Sequence, residues 1–284
     1  MTPGSPEGPS TIGNVLRRST DYLAARGSET PRLDAERLLS KALRLERIEL
    51  YMALDRPLTP SELDSARELV VRRGAREPLQ YVLGEWGFRR LILNVDPRAL
   101  IPRPETEILV DRALFLLEGR DAPRVLDVGT GSGAIALALK DEHPGAVVSG
   151  LDFSPDALAL AADNAVRTGL AVDLLQGDLF ESLPTGPWDL VVSNPPYVDA
   201  SDVPDLEPEV RDWEPHEALT ADGAVAAVAR GAVGVLAPGG GVVLEVGAGQ
   251  AETTADLFEE LGLHDVRVTP DLRGIDRVVE GVWQ

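Results

Sequence analysis

The chain has 284 residues, with 27 Lys and Arg against 47 Asp and Glu for a formal charge of -20, and it is long enough to bury a core without disulfides or metals. That acidic balance speaks against a long tract of nucleic-acid backbone as substrate, because affinity for phosphates rests on clustered basic side chains. With no cysteine there is no disulfide framework, thiolate zinc site or thiol nucleophile, and His143, His216 and His264 lack metal-ligand spacing, so no metal is expected.

Residues 1–10 are rich in Pro, Gly and Ser and read as a flexible tail, without the basic start and apolar stretch of a leader peptide. No window approaches the roughly 20 apolar residues of a membrane span, so a cytoplasmic protein with no membrane partner is expected. Residues 11–78 keep helical spacing, first in Ile12, Val15, Leu16, Ser19, Tyr22 and Leu23, then in Ala35, Leu38, Leu39, Ala42 and Leu43. A small helical bundle follows from that spacing. Thr30-Pro31 and Thr59-Pro60-Ser61-Glu62 each place a capping hydroxyl before a proline at the first helical position, and Glu62 completes a capping box. Residues 79–101 change to β-prone pieces, Tyr81-Val82-Leu83 and Leu91-Ile92-Leu93-Asn94-Val95, broken by Gly84 and Gly87, and read as a hairpin-like connector.

From residue 102 to 284, strands and helices alternate. Strands are expected at 124–128, 146–151, 172–175, 189–193, 241–246, 266–268 and 277–282, with helices at 132–141, 155–168, 221–236 and 251–261. Such alternation makes an α/β domain with a mainly parallel sheet and helices on both faces.

The first of those strands, Val125-Leu126-Asp127-Val128, runs straight into Gly129-Thr130-Gly131-Ser132-Gly133 and then a helix. Glycine turns tightly and lets a ligand approach bare backbone, and the carboxyl ends of parallel strands are where such sheets bind ligands. The spacing is neither the dinucleotide fingerprint nor the phosphate loop, which would need Gly-Lys-Ser/Thr. Asp152 closes the next strand about 20 residues on, where a carboxylate can accept both hydroxyls of a ribose. Loop and acid together fit an adenosine cofactor that lacks phosphates. The plain alternative is an ordinary turn with Asp152 capping the helix from Pro155. Asp178-Leu179-Phe180 follows the third strand and can reach an adenine, Asp178 accepting from its amine and Leu179 covering the ring, though loop capping and core packing would use the same residues.

Asp189 to Ser193 delivers Asn194-Pro195-Pro196-Tyr197 to the same rim of the sheet. The two prolines fix φ, remove backbone donors and hold Asn194 extended. The Asn194 side-chain oxygen and the Pro195 carbonyl together can grip both hydrogens of an NH₂ group, with the Tyr197 ring stacked on the planar group behind it. An amide or aromatic amine nitrogen is a poor nucleophile, its lone pair being delocalised, so orientation must supply the rate. Alignment is worth up to roughly 7–11 kcal/mol in favourable cases. Asn194 and Pro195 are thus the catalytic candidates, with Pro196 and Tyr197 completing an acceptor clamp.

At these residues the sequence resembles the PrmC/HemK family, protein-glutamine methyltransferases that modify the Gly-Gly-Gln glutamine of peptide chain release factors. Its marks are residues 76–81, Leu100-Ile101-Pro102-Arg103-Pro104-Glu105-Thr106-Glu107, 125–133, Asn194 to Tyr197, Arg211, Glu214-Pro215, Leu244-Glu245-Val246-Gly247 and residues 271–277. The tetrad is shared with other amino-methyltransferases, and the segment from Pro102 to Glu107 narrows the match.

The resemblance implies a class I (Rossmann-like) methyltransferase domain with a mainly parallel seven-stranded sheet, preceded by a small helical domain for partner recognition. It implies S-adenosyl-L-methionine as cofactor, with Gly129 to Gly133 along its methionine part and Asp152 on its ribose, Asn194 to Tyr197 on the acceptor glutamine, and class 1 release factors as protein substrates. Leu179 departs from members that carry Trp beside the cofactor. Residues 103–106 would border the pocket, although Pro102-Arg103-Pro104 also reads as a plain start to a helix. An adenine or other amino-group methyltransferase acting on DNA or RNA is the rival, disfavoured by scattered arginines and only two lysines, Lys41 and Lys140.

Overall fold

The computed structural model describes residues 10–284, so all but the last residue of the expected tail lies outside the described residues. The chain divides into two compact units, residues up to Gly84 with Glu207–Trp213, and Glu85–Leu206 with Glu214–Gln284.

The first unit is helical: α1 (Ile12–Ala25), α2 (Pro31–Leu43), α3 (Arg47–Met52), α4 (Pro60–Gly74) and α5 (Leu79–Leu83). Ile12, Leu16 and Leu23 of α1 and Ala35, Leu38 and Leu39 of α2 are buried, as helical periodicity requires of one face. Thr59 caps α4 reciprocally with Glu62: the Glu62 amide donates to Thr59 Oγ1 at 3.3 Å and the Thr59 amide to Glu62 Oε2 at 2.8 Å. Thr30 does not cap α2. Its hydroxyl donates to Asp34 Oδ1 at 2.8 Å, because that buried carboxylate is the stronger acceptor. Asp34 in turn takes a 2.8 Å bond from buried Arg73, which also donates to Glu209 Oε1 at 2.7 Å and holds the segment 207–213 within this unit.

Tyr81-Val82-Leu83 is helix, not strand. Pro78 ahead of it and Gly84 at φ 70° behind it bracket a single turn, and burying Tyr81 and Val82 against α2 and α4 overrides their β preference. The hairpin lies further on, in the second unit, where β1 (Glu85–Phe88) pairs antiparallel with β2 (Leu91–Asn94).

The second unit continues through α6 (Thr106–Leu116), β3 (Arg124–Val128), α7 (Ala134–Glu142), β4 (Val147–Asp152), α8 (Pro155–Thr168), β5 (Asp173–Gln176) and β6 (Trp188–Ser193). After the excursion that carries α9 (Pro208–Arg211), it resumes with α10 (Ala224–Val233), β7 (Leu236–Glu245), α11 (Ala251–Glu260), β8 (Leu263–Pro270) and β9 (Asp276–Trp283). The seven-stranded sheet has the order β5-β4-β3-β6-β7-β9-β8, parallel from β5 to β7 and antiparallel where β9 joins β7 and β8. Apolar layers pack on both faces. Leu109, Val110, Leu137 and Leu139 cover one side of the sheet, Val228, Ala232 and Phe258 the other.

The switch in strand order falls between β3 and β6, both central and apolar, which is where open α/β sheets bind ligands. Helix α7 starts at Ala134, two residues later than its periodicity suggests, because Gly131 and Gly133 remain left-handed at φ 55° and 80°. Strand β7 starts earlier than expected, at Leu236, running through the glycines at 239–241 with a register shift against β6.

Candidate active site

Val128 and Ser193 are register partners on β3 and β6, so the glycine loop and the Asn194 tetrad leave adjacent rungs of the sheet. The Ser193 hydroxyl donates to the Val128 carbonyl at 2.6 Å and locks that rung.

The loop is built by its own backbone. The Gly129 and Thr130 amides donate to the Leu151 carbonyl at 2.7 and 2.9 Å, and the Gly131 amide reaches Asp152 Oδ2 at 2.8 Å. Gly133 keeps α7 close to α8, since a Cβ there would stand 3.2 Å from that of Ala161. The Thr130 hydroxyl donates to Asp127 Oδ2 at 2.7 Å, and the Ala136 amide adds a 3.2 Å bond to the same oxygen. Ser132 is buried, its carbonyl accepting from Asn164 Nδ2 at 2.9 Å. Full burial drives the Asp127 carboxyl up to about 7.

Asp152 does not cap α8. Ser154 does, its Oγ accepting from the Ala157 amide at 3.3 Å. The carboxylate instead accepts one backbone bond at each oxygen, from Gly131 and from the Ser154 amide at 3.0 Å, and each oxygen has a second lone pair for a ligand. Burial raises its pKa, and those amides oppose the rise.

A cavity of about 290 Å³ opens between these groups, with Gly129 to Ser132, Asp152, Asp178, Leu179, Phe180, Asn194 and Pro196 among its walls. Asp178 serves the loop as well as the cavity, Oδ1 accepting from the Phe180 amide at 2.9 Å, and Leu179 packs partly on the core. Phe153 and Phe180 at the rim are half exposed, leaving aromatic faces open to a planar ligand. Backbone free of Cβ atoms on one wall and a carboxylate with open lone pairs opposite fit the methionine and ribose of an adenosine cofactor.

The tetrad is divided. Asn194 and Pro196 face the cavity, whereas Pro195 is buried and Tyr197 lies outside the lining residues. Asn194 Nδ2 donates to Thr106 Oγ1 at 3.2 Å, which leaves Oδ1 as the atom available to accept. The Tyr197 hydroxyl donates to Glu245 Oε1 at 3.3 Å, and its carbonyl accepts from Gln250 Nε2 at 3.1 Å. Gly247 lets the ring close in, since a Cβ there would be 3.2 Å from Tyr197 Cδ2.

Two stretches of the chain are matched by family models, residues 14–84 by the PrmC N-terminal domain and residues 106–237 by the methyltransferase small domain. The release factor glutamine methyltransferase of Geobacter sulfurreducens is 47% identical over 278 residues, 95% of this chain and 96% of that protein. The chain belongs to the release factor glutamine methyltransferase family. The Cereibacter sphaeroides member is 42% identical over 94% of this chain and 96% of its own length. A solved 16S rRNA methyltransferase of T. thermophilus, 21% identical, overlaps 70% of this chain and 50% of that one at a TM-score of 0.54, a likeness of fold.

Several residues that shape this family member's site stand outside the glycine loop, Asp152 and the tetrad. Thr106 opens α6 and holds the Asn194 amide. Glu245 closes β7 beneath Tyr197, 1% exposed. Glu214 is buried too, accepting from the Ile101 amide at 3.1 Å and from Arg103 Nη2 at 2.6 Å. It thereby joins two wall segments, residues 98–103 and 215–221. Asp127 and Glu245 are single acids within apolar strands, the one feature that could have marked them in advance.

Proposed function

We propose that this chain transfers the methyl group of S-adenosyl-L-methionine to the side-chain amide nitrogen of the glutamine in the Gly-Gly-Gln loop of class 1 peptide chain release factors. Family membership supports the substrate. The observation that carries the chemistry is the Asn194 amide, anchored through Nδ2 on Thr106 with Oδ1 left to accept, one rung from the glycine loop.

When bound, S-adenosylmethionine supplies an electrophilic methyl on a sulfonium sulfur. Gly129 to Gly133 would line its amino-acid end, Asp152 would accept from the ribose hydroxyls, and Asp178 and Leu179 would flank the adenine. Asn194 Oδ1 and the Pro195 carbonyl accept the two hydrogens of the glutamine NH₂, and the Tyr197 ring backs the amide plane. Held in this way, the glutamine nitrogen would turn its lone pair towards the methyl group that the cofactor would supply, with the sulfonium as leaving group. The two accepting oxygens stabilise the positive charge that grows on nitrogen. The N-methylated amide is then acidic enough to lose its extra proton to water, so no side-chain base is required.

The helical domain, residues 11–78, is assigned to release-factor recognition and the protein to the cytoplasm. No helix among the described residues is long and apolar enough to cross a membrane. The reading is tested by incubating the protein with labelled cofactor and, in parallel, a release factor, DNA and RNA. One added methyl on the Gly-Gly-Gln glutamine, located by mass spectrometry, is the expected result; preferential labelling of nucleic acid overturns it.

A further inference from the structure

Two prolines make the clamp stiff and also hard to hold. Neither Pro195 nor Pro196 has an amide hydrogen, so between Asn194 and Tyr197 the backbone has nothing to donate, and the stretch must be tied down at its ends. The near end is secured at the sheet, where the Ser193 hydroxyl bonds to Val128 and the Asn194 side chain to Thr106. The far end, Tyr197, is tied from another element. Gln250, the residue that precedes α11, donates from Nε2 to the Tyr197 carbonyl at 3.1 Å and accepts at Oε1 from the Gly247 amide at 3.0 Å. Those partners allow one orientation of the side chain, because a backbone N–H only donates and a carbonyl only accepts. Gln250 is itself fixed. Its amide donates to the Gly247 carbonyl at 3.1 Å, and its carbonyl accepts from the Thr254 amide at 3.0 Å and the Thr254 hydroxyl at 2.9 Å. Gly247 admits both neighbours only as glycine, since a Cβ there would stand 2.9 Å from Gln250 Oε1 and 3.2 Å from Tyr197 Cδ2.

We propose that Gln250 is a positioning residue for methyl transfer, its side-chain amide bridging Gly247 and the Tyr197 carbonyl and so fixing the far end of the acceptor clamp. The inference rests on the methyl-transfer reading of the site. The bridge needs a donor and an acceptor on one planar group, which a carboxylate or an aliphatic side chain lacks. Because both prolines hold φ fixed, a shift at Tyr197 is not absorbed between it and Asn194. It is passed back to the Pro195 carbonyl, one of the two acceptors assigned to the glutamine NH₂. Gln250 therefore acts on the reaction without touching the substrate.

The test compares Gln250→Ala and Gln250→Glu with the unaltered protein. At about pH 8 both should lower kcat about 10- to 100-fold, as a displacement of about 1 Å near the reacting atoms does, with KM for the release factor and cofactor affinity by calorimetry changed far less. The carboxylate of Gln250→Glu can accept from Gly247 but has no hydrogen for Tyr197; once protonated it can donate again. Its kcat, relative to the parent at the same pH, should therefore recover as pH falls from about 8 to about 5, towards the range where glutamate takes up a proton. The relative kcat of Gln250→Ala should stay flat. Carbon-13 labelling of tyrosine carbonyls gives a readout independent of activity, in a chain with only four tyrosines: the Tyr197 carbonyl resonance should move in Gln250→Ala. A kcat within twofold of the parent in Gln250→Ala overturns the proposal, as does a loss carried by KM or cofactor affinity, a relative rate of Gln250→Glu that ignores pH, or an unmoved Tyr197 resonance. An unaltered protein that fails to methylate release factor overturns the activity reading alone, and the carbonyl comparison still decides whether the bridge holds Tyr197.

Discussion

The Ser193 hydroxyl donates to the Val128 carbonyl at 2.6 Å, tying the last residue before the tetrad to the last residue before the glycine loop. Both residues end strands buried on both faces, so the proposed donor and acceptor sites are joined by the stiffest part of the fold rather than by mobile loops. Ser193→Ala removes the bond and should lower stability by about 1 kcal/mol, read from urea denaturation. Turnover should fall more than cofactor affinity, because only the relation between the two strand ends is loosened. A variant as stable and as fast as the parent would mean that β-ladder pairing alone sets the geometry.

Asn194→Ala deletes the acceptor oxygen without disturbing the sheet beneath it. Turnover should drop by roughly 10²-fold or more, by analogy with the loss of a transition-state hydrogen bond, while circular dichroism and the unfolding midpoint stay near those of the parent. Turnover within a factor of two of normal would remove Asn194 from the mechanism.

The sequence signals behind these predictions were local ones. Helix α8 spans Pro155–Thr168 as read, because Ser154 caps it, Pro155 sits in its first turn and Gly169 closes it at φ 71°. The glycine loop and the tetrad were legible for a similar reason, each being a short stiff motif directly after an apolar strand. Tyr81 to Leu83 misled because intrinsic β preference says nothing of the helices that bury those residues. Thr30 misled because its acceptor, Asp34, belongs to a charged cluster completed by Arg73 and Glu209 from far along the chain. Thr106 was legible only as a border of the pocket and Glu214 and Glu245 only as marks of the resemblance, none with a role, since their partners lie on other elements and no spacing rule connects them.

Asp152→Ala should weaken cofactor binding about 10- to 100-fold, the usual worth of hydrogen bonds to a charged acceptor, measured by calorimetry. Because Asp152 also receives the Gly131 amide at 2.8 Å, part of the loss would come from a looser glycine loop. Asp152→Asn separates the two contributions, as it retains one oxygen for Gly131 but loses the charge and one acceptor. Unchanged affinity in both variants would dismiss the ribose assignment.

Glu214→Ala should leave the Ile101 amide and Arg103 without their buried acceptor, lowering stability by about 1–3 kcal/mol. Since the segments it joins both wall the cavity, cofactor dissociation measured by stopped flow should quicken as well. Destabilisation with an unaltered dissociation rate would confine Glu214 to a structural role.

Asp127 ties stability to pH in the direction opposite to an ordinary paired carboxylate. Its folded pKa is raised from 3.8 to about 7 by complete burial, with the Thr130 hydroxyl and Ala136 amide offsetting only part of that penalty. The folded chain therefore holds a proton that the unfolded chain releases near pH 4. Stability from this group is fully present below that pH, declines as pH rises towards 7 and is lost above it. Asp127→Asn keeps an oxygen acceptor for Thr130 and carries no titrating group. The difference in unfolding free energy between the parent and Asp127→Asn, followed by urea denaturation from pH 4 to pH 8, should therefore shift steadily against the parent up to about pH 7 and then level off. A difference that does not vary across that range would mean that Asp127 stays ionised in the folded chain, held by the loop amides more strongly than burial opposes it.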